Sequence, residues 1–275
     1  MDWSAFEGWL SGASILTVAI VVFGAMCLAV ALGTALRLKH DRRKEPAGEF
    51  ESQDGYIVSA VLGLLALLVG FTFSLAVERF EARRLLVLEE ANAIGTTYLR
   101  AQLLNEPHRA RMSDLLTRYT DNRIALAKAK PGQNAALLTT NDALITDIWA
   151  ATIAAFDSIK GLDFSSTYLD SVNNVIDLDA SRKAARRARV PGEVFLVLFV
   201  YLATSAGVLG YVLKGSRGRI SAGFLLLLFT LVLILIIDID RPTAGGINEG
   251  QQPMEELRKS LAVRTPAVFD RPRSN

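Results

Sequence analysis

A row of small or weakly polar side chains, Ser59, Gly63, Ala66, Gly70, Ser74 and Val77, recurs every three or four residues through an uncharged stretch, then gives way to Glu81 and Arg84. At a helical increment of about 100° per residue these positions, with Leu88, Asn92, Gly95, Leu99 and Gln102 beyond them, fall within about 60° of one line. Two kinds of chemistry fit such a line. Small residues on an apolar helix let a neighbouring backbone approach closely enough for dispersion contacts, which is how helices associate where lipid supplies no hydrophobic drive. Alternatively the line faces a narrow conduit, with Phe73 and Phe80 as apolar constrictions and Glu81 and Arg84 as charges at its mouth that bias which ion enters. An oligomer permits both, since one face can line an axis and abut its copies.

A second line, Arg79, Arg83, Glu90 and Thr97, runs nearly opposite the first. Its charges begin where the apolar stretch ends, so they are either simply solvated or partly buried and paired against neighbouring helices. Asp238 and Asp240 lie about 200° apart on a helix and cannot share one ion unless the helix ends between them. They read as markers of the water interface, paired with Arg241 or a neighbouring arginine. The cluster Arg182–Arg187 precedes an apolar run, where it would meet anionic headgroups or act as an orientation signal. Catalytic patterns are missing: no Gly-rich phosphate loop, no GxSxG and no metal-spaced His or Cys set. His40 and His108 are far apart, and Cys27, the sole cysteine, falls inside an apolar run. The sequence therefore predicts no enzyme, no cofactor and no metal site.

The elements that must position these residues follow from the distribution of charge. Of 275 residues, 51% are hydrophobic and 21% charged, with a net charge of +2. That balance argues against disorder and against a basic nucleic-acid footprint. Ile15–Leu36 is long enough to span a bilayer and exceeds a signal peptide's apolar region, and Trp3, Phe6 and Trp9 ahead of it read as interfacial anchors. After a loop broken by Pro46, Gly48 and Gly55, a second span, Ile57–Val77, opens a helix that continues without proline over Tyr56–Leu104. At 1.5 Å per residue such a helix is about 73 Å long against a hydrocarbon core of about 30 Å, so half of it stands outside the membrane.

Helical periodicity persists through a polar segment, Glu78–Val190, with no alternating strand pattern. One helix starts at Asn105–Pro107 and stops at Lys130–Gly132, with Met112, Leu115, Leu116, Tyr119, Ile124 and Leu126 at helical spacing. Another, Gln133–Lys160, is expected to bury Leu137, Leu138, Leu144, Ile145, Ile148, Trp149, Ile153 and Phe156. A further one runs from Ser165 or Ser166 toward Pro191. Val194–Leu213 and Ile220–Ile237 are the third and fourth spans, and the polar tail beyond them is expected to be loosely held apart from a short helix at Met254–Leu261. The predicted fold is all-α: four transmembrane helices with a helical-bundle domain between the second and third. The divisions fall at 1–55, 56–104, 105–190, 191–240 and 241–275. Charge near the spans does not settle orientation.

The segment LGLLALLVGFTFSLAVERFEARRLLVLEEANAIGTTYLRAQLL resembles the opening of the bestrophin-like, domain-of-unknown-function family of bacterial membrane proteins. VNNVIDLDASR at Val172–Arg182, Pro191, Gly210-Tyr211 and DIDRP at Asp238–Pro242 resemble its later motifs, and more distantly the order of elements is similar to bestrophin ion channels. The resemblance covers about Tyr56–Leu261 and adds Asn174, Asp177 and Arg182 to the candidate structural or interface polar residues. It implies a homo-oligomer, a pentamer by analogy, passing inorganic ions and more specifically anions along a central path lined by the second span. It also implies an inner-membrane location with the polar domain in the cytoplasm. Glu78, Arg79, Phe80, Glu81, Ala82 and Arg83 match the bestrophin pore-helix pattern, but the chain has no long acidic calcium-binding run after the fourth span. The alternative function is a non-conducting membrane scaffold or sensor whose second span is used for packing only.

Overall fold

A computed structural model of the chain describes residues 8–10, 12–42, 51–129, 133–242 and 245–270. Trp3, Phe6, the proline and first glycine of the loop after the first span, and the Lys130–Gly132 stop lie outside them. The described residues form helices and connections without a strand. In chain order the helices are α1 (Ile15–Asp41), α2 (Glu51–Ala101), α3 (His108–Lys128), α4 (Ala135–Ile159), α5 (Ser165–Arg187), α6 (Gly192–Val212), α7 (Gly215–Asp240), α8 (Gln252–Val263) and α9 (Pro266–Phe269). The protein is an all-α membrane protein: α1, α2, α6 and α7 provide four helices long and apolar enough to cross a bilayer.

The chain divides into two compact units, Met1–Arg79 with Arg189–Ile247, and Phe80–Ala188 with Asn248–Asn275. In the first, α1 packs against α6 and α7 through Val18, Val22, Met26, Phe195, Leu198, Leu202, Leu226 and Leu233, all buried. Glycines set the α1–α6 spacing. A Cβ at Gly33 would collide with the Gly207 carbonyl, and one at Gly210 with the Val30 carbonyl, so backbone meets backbone there. Thr34 Oγ1 donates to the Gly210 carbonyl at 3.0 Å, and Arg37 Nη1 to the Leu213 carbonyl at 2.6 Å, satisfying the end of α6. Large apolar side chains such as Leu16, Leu28, Phe71, Val197 and Phe224 point outward, as a lipid-facing surface requires. Cys27 is on this exposed side.

The second unit has a conventional core. Val87, Ile94 and Tyr98 of α2 meet Met112, Leu116 and Tyr119 of α3, Leu144, Ile148 and Ile159 of α4, and Tyr168, Val172 and Val175 of α5. Each such side chain contributes roughly 1.5–3 kcal/mol by leaving water. Two expectations fail here. Among the described residues the tail is held beyond its expected helix: Tyr98 Oη donates to the Arg264 carbonyl at 2.7 Å and Arg109 pairs with Asp270 at 2.6 Å, while Met254 and Leu261 of α8 sit in the core. Its helix presents one apolar face, Met254, Leu257 and Leu261, at the spacing a core can use. Conversely, α4 buries only Leu144, Ile148, Ala151, Ala155 and Ile159 among its apolar residues, while Leu138, Trp149, Ile153 and Phe156 are 39%, 40%, 60% and 37% exposed.

Candidate functional site

The second span fixes the first feature. Its inward side buries Leu65, Thr72 and Ala76, with Thr72 Oγ1 donating to the Leu68 carbonyl at 2.8 Å. That leaves Ser59, Gly63, Ala66, Gly70, Phe73 and Ser74 exposed and Val77 half-buried. Among the described residues, and apart from the adjoining turns of α2 itself, none lies within 4 Å of a Cβ built at Gly63 or Gly70. Among these residues, then, Gly63 and Gly70 are not where helices of one chain touch. Gly33, Gly207 and Gly210 mark such a contact.

Past the span, in the second unit, the same side of α2 carries Glu81 and Arg84, which pair with each other at 3.5 Å and are both exposed. As i,i+3 neighbours in water they are held together by about 0–1 kcal/mol. Leu85, Leu88, Asn92, Gly95 and Leu99 follow, and with Pro253, Glu256 and Leu257 from the α8 region they line a groove of about 910 Å³. Asn92 also borders a smaller cleft of about 520 Å³ together with Asn174, Glu89, Thr96, Arg100 and Asp170. Asp177 is exposed.

The opposite side of α2 meets buried charge. Glu90 is fully buried and accepts from Tyr119 Oη at 2.6 Å, Arg123 Nε at 3.1 Å and Arg182 Nη1. Asp179 accepts from Arg123 Nη1 at 3.2 Å, Asn141 Nδ2 at 2.9 Å and Lys183 Nζ at 2.6 Å, and Lys183 also reaches Asp142 at 2.6 Å. In the dry part of the site Glu90 and Asp179 thus balance Arg123 and Arg182, and Lys183 and the exposed Asp142 form a further pair at its rim. Burial pushes the Tyr119 phenol well above its usual range, and Glu90 adds to that. Burial opposes the charge on Arg123, but Glu90, with Tyr119 and Asp179, outweighs it and its affinity for a proton rises. Arg182 goes the other way. Burial is only partly offset by Glu90, while Arg123 and Arg186 repel it. Lys183 is raised, since its two carboxylates outweigh its burial, and its hydrogen bond holds Asp142 below the usual carboxylate range.

A separate buried pair joins Arg83 Nε to Glu249 Oε1 at 2.9 Å, with Arg186 at 3.6 Å from the other oxygen. At the end of α7 in the first unit, Asp238 accepts the Gly246 and Ile247 N–H groups at 2.8 and 3.0 Å, and Asp240 that of Val190 at 2.9 Å. Arg241 donates to the carbonyls of Ala13, at 2.9 Å, and Leu10. Here Asp238 and Arg241 work chiefly on backbone. Of the polar candidates, Glu90 and Arg182 come together, Arg83 joins the tail, Asp238, Asp240 and Arg241 share the end of α7, and Arg79 is half-buried on α2.

Sequence reading missed Tyr119, Arg123, Asn141, Asp179 and Glu249. Tyr119 and Arg123 are four apart on the core face of α3, and Asp179, Arg182 and Lys183 share one side of α5. Those spacings were the available signal. No group of three His, Cys, Asp or Glu side chains able to hold a metal occurs among the described residues.

These features define a four-span membrane protein with an exposed, neutral, small-residue face on its second span. The Bestrophin-like domain model matches residues 21–254, and the chain belongs to that family. Among curated proteins none matches. The fold is shared with two single-substitution variants of a bacterial bestrophin homologue from Klebsiella pneumoniae, at TM-scores of 0.65 and 0.66, both at 15% identity. They cover 88% and 91% of this chain and each is matched over 98% of its own length. A structure described as a membrane protein is similar at TM-score 0.65 and 13% identity, over 89% of this chain and 97% of its own.

Proposed function

We propose that the protein is a homo-oligomeric ion channel, neither an enzyme nor a nucleic-acid-binding protein, in which copies of the second span surround an axial path. The observation that carries this is the exposed stripe Ser59, Gly63, Ala66, Gly70, Ser74, with nothing of the chain's described residues against either glycine. Ringed by copies of itself, such a face, with Val77 at its end, gives a narrow neutral passage with Phe73 and Phe80 as apolar constrictions and Glu81 and Arg84 at the mouth. Family membership and the shared fold support the reading, and a pentamer in the inner (plasma) membrane, with the bundle in the cytoplasm, is its form by analogy. Small inorganic ions, with anions preferred, are the permeant species, and the lipid bilayer is the other partner.

Because Glu81 and Arg84 neutralise one another, changing either one unmasks its partner. Arg84→Glu shifts the reversal potential of reconstituted protein toward cations, and Glu81→Gln shifts it toward anions. Wild-type protein in liposomes that passes no ion under any gradient or voltage would leave the stripe as a packing face and end the channel reading.

A further inference from the structure

We infer that the crevice between α2 and α6 holds one acyl chain of an aminophospholipid, whose phosphate meets Arg79 and whose ammonium meets Glu193. The proposal rests on the membrane-spanning fold alone, so it stands or falls apart from ion conduction. Leu68 and Thr72 of α2 and Val194, Val197 and Leu198 of α6 line the crevice, with Glu193 completing the lining, and its volume is about 260 Å³. The Thr72 hydroxyl is already committed to the Leu68 carbonyl at 2.8 Å, so apart from Glu193 the walls offer hydrocarbon. Pockets for drug-sized ligands run from about 300 to 1,000 Å³, and this one lies below them, at a size for a single flexible chain. Val197, one of its walls, is 57% exposed, so the crevice opens onto the surroundings of the span, which are lipid. Leu68 and Thr72 lie nearly opposite Gly63 and Gly70 around the helix, so the crevice makes no use of the small-residue stripe.

Charge at the rim decides which chain-bearing molecule fits. Arg79 continues the line of Leu68 and Thr72: seven residues past Thr72 is two turns, about 10 Å nearer the water. Its Nε is buried and has no hydrogen-bond partner among the described residues, a state that asks for an acceptor. The chain leaves the spanning unit at Arg79 and returns to it at Arg189, so Glu193, exposed in the first turn of α6, stands at the same end. A headgroup with a phosphate and no cation would face Glu193 as a like charge. A simple alkylammonium would leave Arg79 Nε without its acceptor. The phosphate ester of an amino alcohol satisfies both, since its phosphate oxygens accept from the guanidinium and its ammonium donates to the carboxylate.

The test uses the full chain reconstituted in vesicles of phosphatidylethanolamine and phosphatidylglycerol in equal parts, then re-extracted in mild detergent and washed. Retained lipid is identified and counted by mass spectrometry. The expected result is phosphatidylethanolamine kept by the wild type in stoichiometric amount. Val197→Trp fills the crevice and loses it, whereas Leu228→Trp, at a residue 58% exposed on α7, keeps it. Arg79→Gln weakens retention, and Glu193→Gln, at an exposed position, keeps both lipids alike. Retention unchanged in Val197→Trp or in Arg79→Gln would overturn the proposal, as would a preference for the ethanolamine head that survives Glu193→Gln. So would a retained species that is phosphatidylglycerol, a fatty acid or detergent. A benzophenone side chain placed at Val197 that cross-links to a second copy of the chain, and not to lipid, would overturn it as well.

Discussion

Replacing Glu90 by glutamine keeps the shape of the buried network and removes one charge. Glu90 is the acceptor for Tyr119, Arg123 and Arg182 together, and the carboxylates of Glu90, Asp179 and Asp142 offset Arg123, Arg182 and Lys183. After Glu90→Gln the cluster carries an excess positive charge. Arg123 retains Asp179, but Arg182, 3% exposed, keeps only a neutral amide. Breaking a buried pair in this way costs about 3–5 kcal/mol. For a domain of this size that is roughly 10–20 °C in melting temperature. The assay is thermal unfolding in detergent at fixed scan rate, with helix content checked at 20 °C. Glu90→Gln combined with Arg182→Gln restores neutrality and is expected to fall short of the summed single effects by about 1 kcal/mol or more. A drop of under about 2 °C in the single variant, or full additivity in the double, would refute a network held by charge balance.

Two further outcomes follow from the geometry. Gly33→Ala or Gly210→Ala forces apart backbones already in contact and is expected to cost about 1–3 kcal/mol or more, while Gly63→Ala and Gly70→Ala leave the chain's stability within about 0.5 kcal/mol; heat challenge followed by size-exclusion chromatography checks both. The Lys183–Asp142 pair has a pH signature. Asp142 titrates below its ordinary value, so its contribution is complete above about pH 4 and disappears as pH falls through the depressed folded value, while raised Lys183 contributes fully below about pH 10.4 and loses its share as pH rises through the elevated one. The melting-temperature gap between wild type and Lys183→Ala should therefore be flat from about pH 5 to 9 and narrow at both extremes. A gap that grows in acid would contradict the pair.

The spans were legible because uninterrupted apolar runs of bilayer length admit one physical reading, and the long helix because no proline breaks it. What each apolar side chain meets was harder. Trp149 and Ile153 look like core residues by type, yet hydrophobicity says only that a group avoids water, not which chain covers it. The motif around Asn174 and Asp177 drew attention to the wrong acid for the network. Asp179, two residues on, is turned by about 200° and reaches Arg123 and Asn141. Glu249 was invisible because it sits in a Gly-rich stretch without periodicity, and its partner Arg83 lies far away in sequence. The stripe itself was legible as a line, but not that the chain leaves it uncovered.

The extramembrane unit is assembled from two separated stretches, and this sets an order of events during synthesis. Helices α3–α5 and the Glu90 cluster are complete once Arg182 and Lys183 have left the ribosome. Arg83 receives its tail carboxylate, Glu249, only about 166 residues after it is made, roughly 8–33 s at ordinary elongation rates. In that interval two hydrophobic segments, α6 and α7, must enter the bilayer while the core still lacks Met254 and Leu261. The nascent domain therefore passes through a stage with an open flank, in which a chain that stops short or inserts its last spans wrongly leaves the gap unfilled and exposed to quality-control proteases.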